Sequence, residues 1–170
     1  MNYVLIGMPA SGKATVGAML AKEICFDFLD TDIVLQRREK KLIKNILDEQ
    51  GLDEFYKAEE AALCSLEVDE TVIATGGSAV YSQKGMEHIC QNAIVIYVEM
   101  PLEEIYQRID FLRAHGIAGL ADKHFTKIFH ERKALYEKYA DITVDGSKIT
   151  KDELFKKILK AIKIYNNENK

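Results

Sequence analysis

The chain contains 170 residues, a length typical of a single domain with one substantial core. Its composition, 48% hydrophobic and 29% charged, is that of a globular protein, and no apolar run approaches the roughly 20 residues that span a bilayer. The net charge of −4 argues against a nucleic-acid-binding protein, and Met1 leads into an apolar segment without room for a signal peptide. We therefore expect a cytoplasmic monomer without nucleic-acid or membrane partners.

A glycine-rich loop follows the first predicted strand, 3–6, and leads directly into a predicted helix, 15–24. Its spacing, G-x-x-x-x-G-K, turns backbone N–H groups toward one anion, and the helix start and Lys13 add positive charge. This pattern predicts a nucleotide-phosphate site formed by Gly7, Pro9, Ala10, Ser11, Gly12, Lys13, Ala14 and Thr15. An ordinary strand-turn-helix with glycines for tight packing is the alternative, but it gives no reason for the lysine.

One part of the phosphate-loop pattern is missing. Ala14 stands where a serine or threonine hydroxyl would bind Mg²⁺, and Thr15 comes one residue late. Thr15 is turned about 100° around the helix from that position, because an α-helix has 3.6 residues per turn. We therefore expect a weakened Mg²⁺ site.

Two acidic residues, Asp30 and Asp32, follow a short second strand predicted over 26–29. On an extended segment, residues two apart point to the same side, so both carboxylates would face a ligand at the carboxyl end of a parallel strand. Alternatively, Thr31 or Asp32 caps a helix that begins at residue 33. Capping would account for only one of the two acids.

A long helical pattern covers 40–66, with a break at Gly51. Its apolar residues form stripes, and its charged residues, Glu59 and Glu60 among them, are predicted to form a solvated face. Two helices between consecutive strands are more than a crossover requires. We therefore expect the segment of about 34–66 to help form a substrate pocket.

The remaining elements alternate in the order strand 71–75, helix 82–91, strand 93–98, helix 101–113, helix 125–139, strand 142–144 and helix 151–165. Gly76, Gly77 and Ser78 follow the third strand, where backbone can approach a ligand closely. The weakly patterned segment of about 113–124 is predicted to be a mobile lid or, alternatively, a plain surface loop. Residues 166–170 are expected to fray, and Cys25, Cys64 and Cys90 to be reduced and mostly buried.

Five strands alternating with helices predict a single three-layer α/β domain with a five-stranded parallel sheet flanked by helices. The phosphate loop, the two aspartates and the Gly76 turn all fall at the carboxyl edge of that sheet. One cleft could therefore hold all three.

With these motifs collected, the chain resembles the shikimate kinases over essentially its whole length. The resemblance rests on five motifs in order: Gly7-x4-Gly12-Lys13, Phe28-Leu29-Asp30-Thr31-Asp32, Phe55-x3-Glu59, Ala74-Thr75-Gly76-Gly77 and Glu131-Arg132-x2-Leu135-Tyr136. It implies a P-loop NTPase fold like that of the nucleoside monophosphate kinases. By this resemblance the core is about 1–33, 67–112 and 125–165, with an acceptor-binding segment of about 34–66 and an ATP lid of about 113–124.

The resemblance also implies transfer of the γ-phosphoryl group of ATP to an alcohol, with shikimate to 3-phosphoshikimate as the leading named reaction. Lys13 would hold the β- and γ-phosphates, Asp30 would lie near Mg²⁺ through water, and Arg108 would lie against adenine. Asp32 would contact the acceptor hydroxyl as the candidate base. The acceptor-binding positions would be Asp32, Tyr56, Gly76, Gly77, Ser78 and Arg132, with Arg132 pairing with the acceptor carboxylate.

The chain departs from the family pattern on the acceptor side and in the lid. Tyr56 stands where the family has an arginine that binds the substrate carboxylate, and Ser78 replaces the third glycine of the turn. His115 falls where the lid arginine is expected, and a histidine carries charge only when protonated. These changes leave two alternatives open: a kinase of the same fold for a different small alcohol, and a nucleotide-binding homologue with little or no catalytic activity.

Overall fold

The computed structural model describes residues 1–113 and 125–168. Within these ranges the strands are β1 (Asn2–Ile6), β2 (Asp27–Asp30), β3 (Thr71–Ala74), β4 (Ala93–Glu99) and β5 (Ile142–Asp145). The helices are α1 (Lys13–Ile24), α2 (Thr31–Glu39), α3 (Ile43–Cys64), α4 (Gln83–Cys90), α5 (Leu102–Arg113), α6 (Phe125–Tyr139) and α7 (Lys151–Glu168). A short 3₁₀ turn, Ala79–Tyr81, precedes α4.

The five strands form one parallel sheet in the order β2-β3-β1-β4-β5, which confirms the predicted fold class. From the central strand β1 the chain first adds β2 and β3 on one side of the sheet. It then adds β4 and β5 on the other side, so the direction in which strands are added reverses at β1. In open α/β sheets, ligands bind outside the carboxyl ends of the strands where the winding reverses. The loops after β1, β2 and β3 meet at that point.

The sheet has a hydrophobic core on each face because successive strand residues point to opposite sides. Val4 and Ile6 of β1 pack into the cluster shared with α3, α4, α5 and α6. Tyr3 and Leu5 pack on the other side, against α1 and α7. The core layers therefore place both α1 and α6 beside the carboxyl end of β1.

Helices α2 and α3 form a small cluster of their own outside the sheet, around Leu35, Ile46, Phe55 and Ala62. The predicted break in α3 is present, since Gly51 has φ 82° and ψ 179°, a backbone conformation that glycine adopts easily. Helix α3 packs on α2 through this cluster, and its Leu63 packs into the sheet core beside α4. This segment therefore extends from the sheet at its ligand edge.

Three local predictions are wrong. Helix α7 continues to Glu168, so residues 166–168 are helical where fraying was expected. Cys25 and Cys64 are exposed and Cys90 is only partly buried, because the first two lie at the carboxyl ends of α1 and α3, where those helices reach the surface. Strand β2 begins and ends one residue later than predicted, which changes the geometry of Asp30 and Asp32.

Candidate active site at the carboxyl edge of the sheet

The phosphate loop between β1 and α1 has the backbone shape that the glycine spacing predicts. Gly12 is the N-cap of α1 in the left-handed region, with φ 93°, so the free N–H groups of the helix start point toward the loop opening. Ala10 also lies in the left-handed region, with φ 62°, where a residue with a side chain is strained by about 1–2 kcal/mol. Local strain held in this way is common at ligand-binding loops.

Two polar side chains of the loop point inward. Lys13 is buried, and its Nζ donates to the carbonyl oxygen of Met8 at 3.0 Å. Burial lowers the pKa of the Lys13 ammonium group to about 8, although the charges of Asp32 and Asp30 oppose that shift. The buried hydroxyl of Ser11 has no hydrogen-bond partner in the part of the chain that the structure describes. Both groups are available to an anion placed in the loop.

Asp30 and Asp32 are arranged differently from the predicted extended pair. Asp30 ends β2 and is the N-cap of α2, and its Oδ1 accepts a hydrogen bond from the backbone N–H of Asp32 at 2.9 Å. The capping residue is thus Asp30, neither Thr31 nor Asp32, because α2 begins at Thr31. Asp32 projects from the first turn of α2, and both carboxylates still line one cavity with Lys13.

The cavity that Lys13 and both carboxylates line has a volume of about 410 Å³ and lies on the side of β3, and a neighbouring cavity of about 570 Å³ lies on the side of α7. The smaller cavity brings together most of the predicted catalytic and phosphate-binding residues, which are Pro9, Ala10, Gly12, Lys13, Ala14, Thr15, Asp30, Asp32, Gly76 and Gly77. Gly7 lies beneath the loop, where a Cβ would come within 2.6 Å of the carbonyl oxygen of Val98.

The larger cavity is lined by Arg108 and by residues of the phosphate loop, the loop after β5 and the start of α7, including Ser11, Gly12, Gly146, Ile149 and Thr150. Arg108 NH1 donates to the carbonyl oxygen of Ala10 at 2.7 Å, so the arginine also supports the strained part of the phosphate loop. The predicted contact of Arg108 with a base is compatible with this position. Ile149 and Thr150 were not predicted, since a loop after a short edge strand carries no distinctive motif.

Asp32 shares its surroundings with a second carboxylate, that of Glu59 on α3. A Cβ at Gly76 would lie 2.7 Å from Asp32 Oδ1 and 2.7 Å from Glu59 Oε1, so both oxygens reach the same backbone atom. Burial raises the pKa of Asp32 to about 6, the charge of Asp30 raises it further, and Lys13 opposes the shift. Only a glycine fits at position 76 between two carboxylates.

Glu59 was predicted to lie on a solvated face, and this prediction is wrong. Its side chain is 3% exposed, and Ser78 Oγ donates to Glu59 Oε1 at 2.9 Å. Burial raises the pKa of Glu59 to about 7, against the opposing hydrogen bond from Ser78. The spacing could have revealed it, because Glu59 lies four residues after Phe55 and three before Ala62, on the apolar face of α3.

Tyr56, Tyr81 and Arg132 form an aromatic and cationic group beside Glu59. The rings of Tyr56 and Tyr81 are 5.6 Å apart, and the Arg132 guanidinium lies over the Tyr81 ring at 5.2 Å from its centroid. Arg132 is 1% exposed. A cavity of about 190 Å³ lined by Tyr56, Glu59, Ser78 and Tyr81, among others, adjoins this group.

The turn after β3, residues 75–78, is held from several directions and is called the β3 turn below. Its Gly76 N–H donates to Thr31 Oγ1 at 3.0 Å, and its Gly77 carbonyl accepts from the hydroxyl of Tyr136 at 2.6 Å. A Cβ at Gly77 would lie 2.5 Å from Pro9 Cδ, so the turn packs directly against the phosphate loop. Thr31 and Tyr136 were not predicted as site residues.

His115 and almost all of the predicted lid lie outside the residues that the structure describes. Within those residues, no group of three or more histidine, cysteine, aspartate or glutamate side chains is arranged to hold a metal ion. The same part of the chain contains no helix that is long and apolar enough to cross a membrane.

Comparison with known proteins decides the family. The model of the family described as shikimate kinase matches residues 9–163, which include most of the phosphate loop, both aspartates, the β3 turn and Arg132. The chain belongs to the shikimate kinase family. A shikimate kinase of Clostridium botulinum (strain Eklund 17B / Type B) is 35% identical over 161 residues, covering 93% of this chain and 94% of the relative.

Solved shikimate kinases have the same fold. The enzyme of Aquifex aeolicus vf5 superposes with a TM-score of 0.82 at 30% identity, covering 96% of each chain. The enzyme of Acinetobacter baumannii, solved in complex with shikimate, gives a TM-score of 0.83 at 29% identity, covering 95% of this chain and 92% of that one. Family membership confirms the resemblance inferred from the sequence motifs, and the protein is a small-molecule kinase by family.

Proposed function

We propose that this shikimate kinase family member transfers the γ-phosphoryl group of ATP to a hydroxyl of shikimate, giving ADP and 3-phosphoshikimate. The observation that carries the proposal is the single cavity of about 410 Å³ in which Lys13 and the phosphate loop face Asp32 and Gly76. A cation and free backbone donors lie on one side of this cavity, and a carboxylate base lies on the other. Phosphoryl transfer needs chiefly this positioning and charge neutralisation.

Asp32 is the base in this proposal. An oxygen lone pair of the acceptor hydroxyl attacks the γ-phosphorus, and the bond from the γ-phosphorus to the bridging oxygen breaks, with its electron pair leaving on ADP. The hydroxyl proton passes to Asp32, whose pKa of about 6 leaves it ionised yet basic near neutral pH. Lys13 and the N–H groups at the start of α1 stabilise the charge on the phosphate oxygens.

We propose that Arg132 binds the acceptor carboxylate from α6, while the backbone at Gly76 and Gly77 lies along the acceptor. Arg132 is buried beside Tyr81, and a buried arginine forms charge-assisted hydrogen bonds to carboxylates. Tyr56 supplies one neutral phenol next to it. Ser78 is held by Glu59, so its side chain is directed toward α3.

ATP carries the transferred group together with Mg²⁺, and the residues present fit this ion in part. Asp30 and Asp32 place carboxylates at the cavity, and Mg²⁺ is usually bound by one or two carboxylates together with phosphate oxygens and water. Ala14 contributes no oxygen, and Thr15 is exposed one residue farther along α1. We infer that the Mg²⁺ site is weakened. We also propose that the protein is a cytoplasmic monomer made of one domain.

The test is an assay of the purified chain with ATP, MgCl2 and shikimate, in which ADP is measured and the product is identified by ³¹P NMR. We expect 3-phosphoshikimate in amounts equal to ADP, and a rate of formation at least about 100-fold lower in the Asp32→Asn variant. Titration calorimetry with a non-hydrolysable ATP analogue, with and without Mg²⁺ and then with shikimate, measures binding separately. Nucleotide binding without shikimate binding or product would contradict shikimate as the acceptor.

A second candidate is a kinase of the same fold for a different small alcohol. It is favoured by the cavity of about 190 Å³ between Tyr56, Glu59 and Tyr81, which offers further space beside the proposed acceptor-binding residues Tyr56 and Ser78. A screen of hydroxylated metabolites by ADP release tests it. Nucleotide binding that is indifferent to Mg²⁺, with no acceptor found, would favour the non-catalytic nucleotide-binding protein that Ala14 suggests.

A further inference from the structure

Tyr136 lies where three parts of the site meet. It is fully buried on α6, one turn after Arg132, and its hydroxyl donates to the Gly77 carbonyl at 2.6 Å. The same hydroxyl lies 3.7 Å from Met8 Sδ in the phosphate loop. A single phenol therefore contacts both the β3 turn and the loop between β1 and α1.

The surroundings of Tyr136 leave its hydroxyl little freedom. Its ring stacks on that of Tyr97 in β4, with centroids 5.1 Å apart and an interplanar angle of 29°. Burial raises the pKa of the Tyr136 phenol, so the hydroxyl remains a hydrogen-bond donor throughout the neutral pH range. The ring of Tyr97, which is held in β4, thus fixes the ring of Tyr136 and supports the hydrogen bond from Tyr136 to Gly77.

The β3 turn has no room to shift independently of the phosphate loop. Gly77 packs on Pro9 so closely that a Cβ would come within 2.5 Å of Pro9 Cδ. From the other side, Gly76 is held by Thr31 at the start of α2. The hydrogen bond from Tyr136 to the Gly77 carbonyl is a third restraint on the turn, and it ties the turn to α6.

We propose that Tyr136 is a positioning residue that holds the β3 turn against the phosphate loop and so sets the distance between the transferred phosphoryl group and the acceptor hydroxyl. The effect of Tyr136 on catalysis rests on the proposed function. The mechanical coupling of the β3 turn to the phosphate loop through Tyr136 does not. Misplacement of reacting groups by about 1 Å can lower a rate by about 100-fold. Loss of one hydroxyl far from the reacting atoms would then lower kcat.

The kinetic test compares Tyr136→Phe with Tyr139→Phe, which removes the same hydroxyl from the same helix. Tyr139 is a suitable control because its phenol lies near Glu87 and Cys90 of α4, away from the cavity. For Tyr136→Phe we expect kcat to fall about tenfold or more, the KM for ATP to stay within about twofold, and the pH profile to keep its shape. Equal losses in both variants, or an unchanged kcat in Tyr136→Phe, would overturn the proposal.

Hydrogen exchange of the backbone amides tests the coupling without an acceptor, and so separates it from the proposed function. In the wild-type protein, ADP with Mg²⁺ is expected to slow exchange in peptides covering the phosphate loop and in peptides covering residues 74–82. In Tyr136→Phe only the loop is expected to respond. The proposal is overturned if the β3 turn responds equally in both proteins or fails to respond in the wild type. If the wild-type chain leaves shikimate unphosphorylated yet shows this response, the proposed function fails and the coupling stands.

Discussion

The two halves of the site are built in different ways. The nucleotide half is built mainly on one continuous stretch, 7–15, whose backbone turns and helix start provide most of the phosphate-binding groups, while Arg108 and the loop after β5 line the adjoining cavity. The acceptor half takes its side chains from α2, α3, the β3 turn and α6, which are far apart in the chain. A backbone site tolerates few changes of sequence, whereas a side-chain site can be altered one residue at a time without changing the fold.

The two halves of the site also differ in charge. The nucleotide half presents Lys13 and the positive end of α1 to an anion. The acceptor half places Asp32 and the buried Glu59 around Gly76, with the buried Arg132 beside them. The position of Tyr56 is neutral, so the acceptor half is less positive than an arginine at position 56 would make it. Changes on this side are therefore expected to alter acceptor choice before they alter nucleotide binding.

The largest effect is expected from Asp32→Asn, which removes the base between the two halves. We expect kcat to fall by about 10²–10⁴-fold, as for loss of a general base, while ATP-analogue binding is retained. The wild-type rate should fall as the pH drops through about 6, since the raised pKa of Asp32 means that it is protonated below that value. Asp27→Asn, at an exposed position at the start of β2, the strand that precedes α2, is the control in steady-state kinetics. Retained activity in Asp32→Asn would exclude Asp32 as the base.

A smaller effect, on the acceptor half alone, is expected from Tyr56→Arg. The new guanidinium would lie near Arg132 and Glu59 and could form a charged hydrogen bond to the acceptor carboxylate, a contribution of about 1.5–3 kcal/mol. We expect the KM for shikimate to fall about tenfold and the KM for ATP to stay the same. Lys57→Arg places an arginine one residue farther along on the exposed face and should change neither constant. Unchanged shikimate binding would mean that the acceptor is held elsewhere.

The nucleotide half is tested on its own by Ala14→Ser. A hydroxyl at this position supplies the oxygen that the Mg²⁺ site lacks, so we expect the apparent affinity for Mg²⁺·ATP to rise by several-fold, a change of about 1 kcal/mol. Calorimetry with and without Mg²⁺ measures it. Ala18→Ser, exposed one turn later on α1, controls for the change in helix propensity. Equal behaviour of Ala14→Ser and the wild type would show that our account of the metal site is wrong.

The smallest effect is on stability and concerns the buried Glu59. Its pKa is raised from 4.5 to about 7, so its ionisation costs stability increasingly as the pH rises from about 4.5 to about 7. Glu59→Gln removes that charge, and its Tm relative to wild type should therefore increase by about a few degrees between pH 5 and pH 8. Glu60→Gln, at the neighbouring position on α3, is the matched control in thermal scans. If the difference in Tm between Glu59→Gln and the wild type is the same at every pH, the raised pKa of the buried Glu59 is refuted.

Much of the fold could be predicted from the sequence, since buried parallel strands are short apolar runs and α6 was predicted over the residues that it occupies. The nucleotide half was predicted as a contiguous set for the same reason, because its signal is local. The geometry of Asp30 and Asp32 could not be predicted, because it depended on whether α2 begins at residue 31 or 33. A shift of two residues converts an extended pair into an N-cap and a first-turn residue.

The sequence by itself therefore determined the layers, the phosphate loop and the presence of two acids at the sheet edge, since periodicity and turn chemistry act over a few residues. Only the tertiary structure decided which side chains share the acceptor pocket. Packing of α3 and α6 on the sheet buried Glu59, placed Arg132 over Tyr81 and brought Tyr136 to Gly77. Those contacts join residues 19 to 59 positions apart, and no local pattern specifies such distances.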